Sequence, residues 1–211
     1  MTTEILLAPN PPSVERGAIL FETERLVLRR WKSDDGPDLH RIADYAEVAK
    51  NLSHRFPFPY TLESAEASLK RWVDLAAATS PHYPTSIALC LKSKSAEDQP
   101  ELIGSMGLSP GEGIEYRTWT LGYFLTPPHW GKGYMTEAVK GLTRWSFSTW
   151  PKLNRIEATF YHWNDGSEGV LRKCGFVREG VRRGATEKYG VINDDVVMGL
   201  IRSDVEGELD I

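Results

Sequence analysis

The sequence predicts an α+β fold, a mixed sheet with helices packed against it, and three observations point there. Strand-like and helix-like stretches alternate towards both ends of the chain, while Ser86 to Leu125 holds three strand-like runs in succession. A glycine turn, Gly131-Lys132-Gly133, joins the last of these runs to an amphipathic helix. Neither an internal repeat nor a linker interrupts residues 21–203, so a single domain over 21–211 is expected, preceded by an N-terminal extension over 1–20.

The composition bounds the function. Of 211 residues, 41% are apolar and 26% charged, with a formal net charge of -4, as in an ordinary soluble domain rather than a disordered chain. That balance gives no sign of a nucleic-acid partner, and it suits a small amine at least as well as an anion. No run approaches the ~20 apolar residues of a membrane span. Cys90 and Cys174 lie far apart, without CxxC spacing or a neighbouring His, so both are expected in the core and no metal site is indicated. The first residues, MTTEILLAPNPPSVERG, lack the basic start of a signal peptide, and Pro9, Pro11 and Pro12 favour a mobile extended tail. A reducing, cytoplasmic location is expected.

The first strand is expected at Glu24 to Trp31, where Leu26 and Leu28 alternate with Arg25, Val27 and Arg29. Ser33-Asp34-Asp35-Gly36-Pro37 then offers an N-cap and an early proline for a helix through Leu39, Ile42 and Ala43, which should continue from Asp44 to Leu52. Pro57 and Pro59 keep Arg55 to Tyr60 out of regular helix, leaving an aromatic loop that either lines a pocket or covers the core. Thr61 to Ser64 has only the outline of a capping box, and the following helix runs to about Ala77, with Ala65, Leu69, Trp72 and Leu75 or Ala76 on one face.

Ser86 to Leu91 and Glu101 to Leu108 read as strands joined by the polar loop Lys92 to Pro100. Tyr116 to Leu125 completes a meander. After the glycine turn, Met135, Ala138, Leu142 and Trp145 make one buried helical stripe, which Trp150-Pro151 ends. Arg155 to Tyr161 is a further strand, a short helix reaches Lys173, and Gly175 stands where a helix end favours positive φ. Phe176 to Gly180 and Val191 to Ile201 close the sheet.

The stretch WGKGYMTE, Trp130 to Glu137, carries the chemistry. A strand, a glycine turn and a helix leave several backbone amides pointing one way at the positive end of the helix dipole, which is where anions bind. A P-loop would need GxxxxGK followed by a hydroxyl residue, and a dinucleotide turn would need a third glycine where Thr136 stands. Neither template fits.

Together with RIEATFYHWNDGSEGVLRKCGFVREG downstream, the segment LGYFLTPPHWGKGYMTEA resembles the GCN5-related N-acetyltransferase (GNAT) superfamily, and most of all its ribosomal-protein-type branch. In element order the resemblance runs from Phe21 to Arg202, and it is specific from Leu121 to Gly180. It implies a mostly antiparallel mixed sheet in which Leu121 to Leu125 parts from Arg155 to Tyr161, so that the pantetheine arm of acetyl-CoA enters the gap. Main-chain groups of Phe124 and Leu125 would pair with the arm, and Trp130, Gly131, Lys132, Gly133, Tyr134, Met135 and Thr136 would hold the pyrophosphate. Trp130 and Met135 depart from the commonest family motif. The glycines keep its essential feature, close approach of phosphate oxygens to the backbone.

The implied reaction is direct acetyl transfer to a small primary amine or a peptide N-terminus in a ternary complex. A noncatalytic acyl-CoA-binding module is the alternative. Asn164 matches the family asparagine that bonds the cofactor arm, and it reads equally as a helix N-cap. Ser167 matches the hydroxyl near the sulfur and is the expected proton donor. The strand carboxylate common in the family is replaced by Thr120, so the base is sought at Glu115 or Glu112, or at His162 or His54 by intrinsic pKa. Arg172 and Lys173 are further candidates for the adenosine phosphate.

Overall fold

A computed structural model describes residues 6–54, 56–78, 82–93, 95 and 98–208. Its strands are β1 (Ile19–Glu22), β2 (Leu26–Arg29), β3 (Ile87–Leu91), β4 (Glu101–Pro110), β5 (Thr118–Leu125), β6 (Arg155–Tyr161), β7 (Val177–Lys188) and β8 (Val191–Ile201). The helices are α1 (Gly36–Ala43), α2 (Ala46–Asn51), α3 (Leu62–Ala78), α4 (Tyr134–Thr149) and α5 (Asp165–Lys173). All strands join one sheet in the order β1-β2-β3-β4-β5-β6-β8-β7, antiparallel throughout except between β5 and β6. This is the expected mixed, mostly antiparallel sheet flanked by helices. No helix among the described residues is long and apolar enough to cross a membrane.

Strand alternation sends side chains to two cores. Leu26, Leu28, Ile87 and Leu89 pack with Ala138, Val139, Leu142 and Phe147 of α4, while Val27, Ala88 and Cys90 pack on the opposite face with Leu39, Ile42, Ala65 and Leu69. The helical stripe of α4 is buried as its spacing predicts at Met135, Ala138 and Leu142, and Trp145 stacks on Phe21 at 5.3 Å. Cys90 and Cys174 are both core residues, where burial pushes each thiol up to about 11.

Several local expectations are corrected. The N-terminal segment is not a free tail from residue 6 onward: Leu6 is buried and exchanges backbone hydrogen bonds with the Tyr83 hydroxyl at 3.0 and 3.1 Å, and β1 starts inside the expected extension. Residues 1–5 of that extension lie outside the described residues. Asp35 makes no side-chain cap on α1, because its carboxylate grips Arg29 at 2.7 and 2.8 Å. The helix does not continue through Asp44 and Tyr45: Tyr45 is extended, and Asp44 accepts the Tyr60 amide at 2.8 Å, so α2 starts afresh. Thr61 does cap α3, accepting from the Ser64 amide at 3.1 Å. The side chains of Leu75 and Ala76, Arg55, and parts of the Lys92 to Pro100 loop lie outside the described residues. β7 runs on past Gly180 to Lys188 before the turn at Tyr189-Gly190.

Two contacts made by charged side chains, one part-buried and one buried, fix the elements that frame the site. Glu137, in the first turn of α4, accepts from the Thr23 hydroxyl at 2.6 Å, the Arg25 amide at 2.8 Å and Arg25 Nε at 2.6 Å. Burial alone would raise this carboxyl, but these donors hold it below its ordinary value of 4.5. The unfolded chain therefore binds the proton more readily, so Glu137 stabilises the fold fully above its unfolded pKa, and the contribution is lost as pH falls through the lower folded value. Urea melts from neutral pH to well below 4.5 should show a shallower acid loss in Glu137→Gln than in the parent; parallel curves would refute it.

Lys188, buried at the tip of the β7–β8 hairpin, donates to the carbonyls of Ala49, Lys50 and Leu52. These carbonyls stand at the C-terminal end of α2 and just past it, and that of Ala49 also accepts from the Leu52 amide at 3.2 Å, so the ammonium adds to the capping of that helix from a distant strand. Lys188→Met should destabilise the protein by about 2–4 kcal/mol, since charged hydrogen bonds to buried carbonyls are lost together. Chemical denaturation would measure this, and a loss below about 0.5 kcal/mol would count against it.

Candidate active site

The sheet opens where its one parallel pair fails. β5 and β6 are paired only where Thr118 to Thr120 faces Arg155 to Glu157, and beyond that the strands separate. Leu121 to Leu125 and Ala158 to Tyr161 then line a cleft of about 890 Å3, in the range of small-molecule sites. Its other walls are the turn before α4, the start of α5 and the segment from Glu47 to Ser53 around α2.

The turn takes a backbone that only glycine adopts easily. Gly131 and Gly133 have φ of +72° and +79°, in the left-handed region that favours glycine. A Cβ at Gly131 would meet nothing within 4 Å, whereas one at Gly133 would meet only Arg25 Nη2, at 3.5 Å. Gly133 is the N-cap of α4 and offers it no side-chain cap. The first-turn amides of α4 thus stand at the cleft with the helix dipole behind them.

Of the predicted cofactor residues, Phe124, Leu125, Trp130, Gly131, Gly133, Tyr134, Met135, Thr136, Asn164 and Ser167 all line the cleft. Lys132 is not among the lining residues: its side chain is exposed, and its carbonyl accepts from Arg25 Nη1 at 3.1 Å. Trp130 staples the turn to the strand, its indole nitrogen donating to the Leu125 carbonyl at 2.7 Å. That carbonyl, one of the main-chain groups expected to face the cofactor arm, is therefore already engaged. Met135 is buried beneath the turn.

At the far end, Asn164 caps α5, its side-chain oxygen accepting from the Ser167 amide at 3.1 Å. The Ser167 hydroxyl lies 2.7 Å from the hydroxyl of Tyr123. Sequence reasoning missed Tyr123. Its position in the same alternating set as Leu121 and Leu125 was legible, but its pairing across the cleft with α5 was not. Burial pushes the Tyr123 phenol above its ordinary value, against the opposing effect of the Ser167 hydrogen bond, so it stays protonated at neutral pH.

The remaining acid and base candidates do not line the cleft. Glu115 and Glu112 are exposed in and beside the short 3-10 turn Gly113–Glu115, because the chain leaves the sheet between β4 and β5 there. His162 follows β6 but is exposed, packing edge-on against Trp163. His54 accepts the Tyr189 amide at 3.2 Å at the hairpin tip. Arg172 is engaged by Glu168 at 2.7 Å, while Lys173 does reach the cleft wall. The aromatic loop covers a core instead of lining the cleft: Phe56 stacks on buried Tyr60 at 4.3 Å and meets Phe124 edge-on at 5.3 Å.

Comparison with known proteins agrees with this architecture. The family described as Acetyltransferase (GNAT) domain matches residues 25–177. The chain is similar to "Probable N-acetyltransferase YjcK" of Bacillus subtilis (strain 168), 40% identical over 105 residues that cover 50% of this chain and 58% of that protein. It is also similar to "Uncharacterized N-acetyltransferase YoaA" of the same organism, 26% identical over 87% of this chain and 97% of that one. Among solved structures, the ribosomal-protein-S5-alanine acetyltransferase from Vibrio fischeri superposes with a TM-score of 0.70 at 25% identity, covering 87% of this chain and 97% of that chain. The resemblance to the ribosomal-protein-type branch is thereby supported by shape as well as by motif. The split parallel pair, the positive-φ glycine turn and the family match over most of the chain lead to one conclusion: this chain belongs to the GCN5-related N-acetyltransferase (GNAT) family.

Proposed function

We infer that the protein transfers the acetyl group of acetyl-CoA directly to a small primary amine or a peptide N-terminus, without an acetyl-enzyme. The observation that carries this reading is the cleft between β5 and β6, lined both by the glycine turn and by the Tyr123–Ser167 pair. The pyrophosphate rests on the amides of Gly131 to Thr136. The arm runs between Leu121 to Leu125 and Ala158 to Tyr161, past Asn164, and delivers the thioester to Ser167. Collapse of the tetrahedral intermediate needs a proton on the departing sulfur. Tyr123 donates to Ser167, and the Ser167 hydroxyl passes its own proton to the thiolate. Cys174 takes no part, since its buried thiol donates to the Thr136 carbonyl at 3.4 Å.

The test is release of CoA thiol from acetyl-CoA in the presence of primary amines and short peptides. Thiol should appear in step with the acetylated amine. Saturable acetyl-CoA binding with no thiol release for any amine would instead favour the noncatalytic acyl-CoA-binding module.

A further inference from the structure

Asp195 lies on β8, paired with Tyr161 of β6 on one side and Arg182 of β7 on the other. Only 4% of its surface is exposed, yet it lines the cleft. Its carboxylate accepts a hydrogen bond from the Thr186 hydroxyl at 2.9 Å, and Thr186 lines the same wall. No ion pair among the described residues engages it. Of the nearby cations, Arg182 stands opposite Asp195 on β7 without an ion pair to it among the described residues, and Lys188, whose ammonium lies 5.4 Å from the centre of the Tyr161 ring, donates to the carbonyls of Ala49, Lys50 and Leu52. A buried carboxylate without a cation is costly unless a ligand supplies one.

The surroundings say what kind of ligand that is. Tyr161 and Trp163 stack with centroids 4.7 Å apart, both line the cleft, and Trp163 is held by a hydrogen bond from its indole nitrogen to Asn51 at 3.1 Å. Glu47 adds a second carboxylate on the α2 wall, where Lys50 is the nearby basic group. An aromatic pair beside an unpaired acid fits a cation with an apolar body.

Resting on the acetyl-transfer reading above, the geometry assigns Asp195 as the catalytic residue that receives the acceptor as a primary ammonium and takes its first proton. The ammonium gives that proton to the Asp195 carboxylate, which releases it to solvent. The neutral nitrogen bonds to the thioester carbon, the carbon–sulfur bond breaks, and the thiolate takes its proton from Ser167. The nitrogen gives up its second proton to restore the Tyr123–Ser167 pair, so one proton is released overall. Asp195 thereby does the work of the carboxylate missing at Thr120.

The experiment measures binding of phenethylamine and of uncharged 2-phenylethanol to the CoA-loaded protein by calorimetry, alongside thiol release from acetyl-CoA with phenethylamine. The amine should bind at least tenfold more tightly than the alcohol. In Asp195→Asn that preference should vanish and kcat/KM should fall at least a hundredfold, with CoA affinity within twofold as evidence of an intact fold. Thr186→Val, which keeps the carboxylate, should retain most of the preference. Equal binding of amine and alcohol to the parent, or an unchanged preference in Asp195→Asn, would overturn the assignment while leaving acetyl transfer standing. Failure of the parent to bind CoA would instead remove the reading on which it rests.

Discussion

Gly133→Val is expected to reduce CoA affinity at least a hundredfold while the protein still folds. At φ +79° a β-branched residue is strained by roughly 1–2 kcal/mol, but its Cβ would meet only the end of the Arg25 side chain. That strain is a fraction of the stability of a typical domain. On the proposed reading binding suffers far more, because the new side chain would occupy the space through which phosphate oxygens reach the amides. A hundredfold loss corresponds to about 2.7 kcal/mol, close to two charge-assisted hydrogen bonds. Calorimetry with CoA and circular dichroism on one preparation would check both halves. Gly131→Ala should act in the same direction but more weakly, since a methyl group there meets nothing within 4 Å. Undiminished CoA affinity in Gly133→Val would mean that the pyrophosphate lies elsewhere.

Ser167→Ala and Tyr123→Phe should each lower kcat by about 10²–10⁴, the range of a positioned proton donor, with little change in the KM for acetyl-CoA. The two hydroxyls are 2.7 Å apart, and the proposed relay uses them in series. The double variant should therefore be little worse than the poorer single one, as for residues that work as a unit. Steady-state kinetics on the three proteins would decide the matter. Additive losses would separate the residues into independent roles, and an unaltered kcat in Tyr123→Phe would leave Ser167 to act alone. An acetyl thioester with a better leaving thiol should lose less in either variant, because protonation of the departing sulfur then matters less.

The parts of the fold that were legible in the sequence are those governed by local rules. The α4 stripe follows from helical spacing, and the positive φ of Gly175 follows from its place at a helix end. Less local features were hidden. Asp35 looked like a helix cap until Arg29, six residues back on β2, claimed its carboxylate. The prolines of the N-terminal segment suggested a tail, but burial of Leu6 depends on Tyr83, 77 residues away. The same division runs through the site. The glycine turn and Asn164 to Ser167 are contiguous motifs, whereas Tyr123 and Asp195 come to line the cleft only because the sheet opens between β5 and β6 and β8 pairs with β6. Glu115 and His162 were near the right elements in sequence, and their exposure shows that proximity along the chain does not set direction.

Direct transfer is tested most simply by mixing the protein with acetyl-CoA and a panel of primary amines and following thiol, acetylated amine and intact protein mass together. Thiol and acetylated amine should appear in equal amounts, with no thiol released before the amine is added and no acetyl group added to the protein. Saturable acetyl-CoA binding with no thiol release for any amine, or an acetylated protein that forms without amine, would contradict the account.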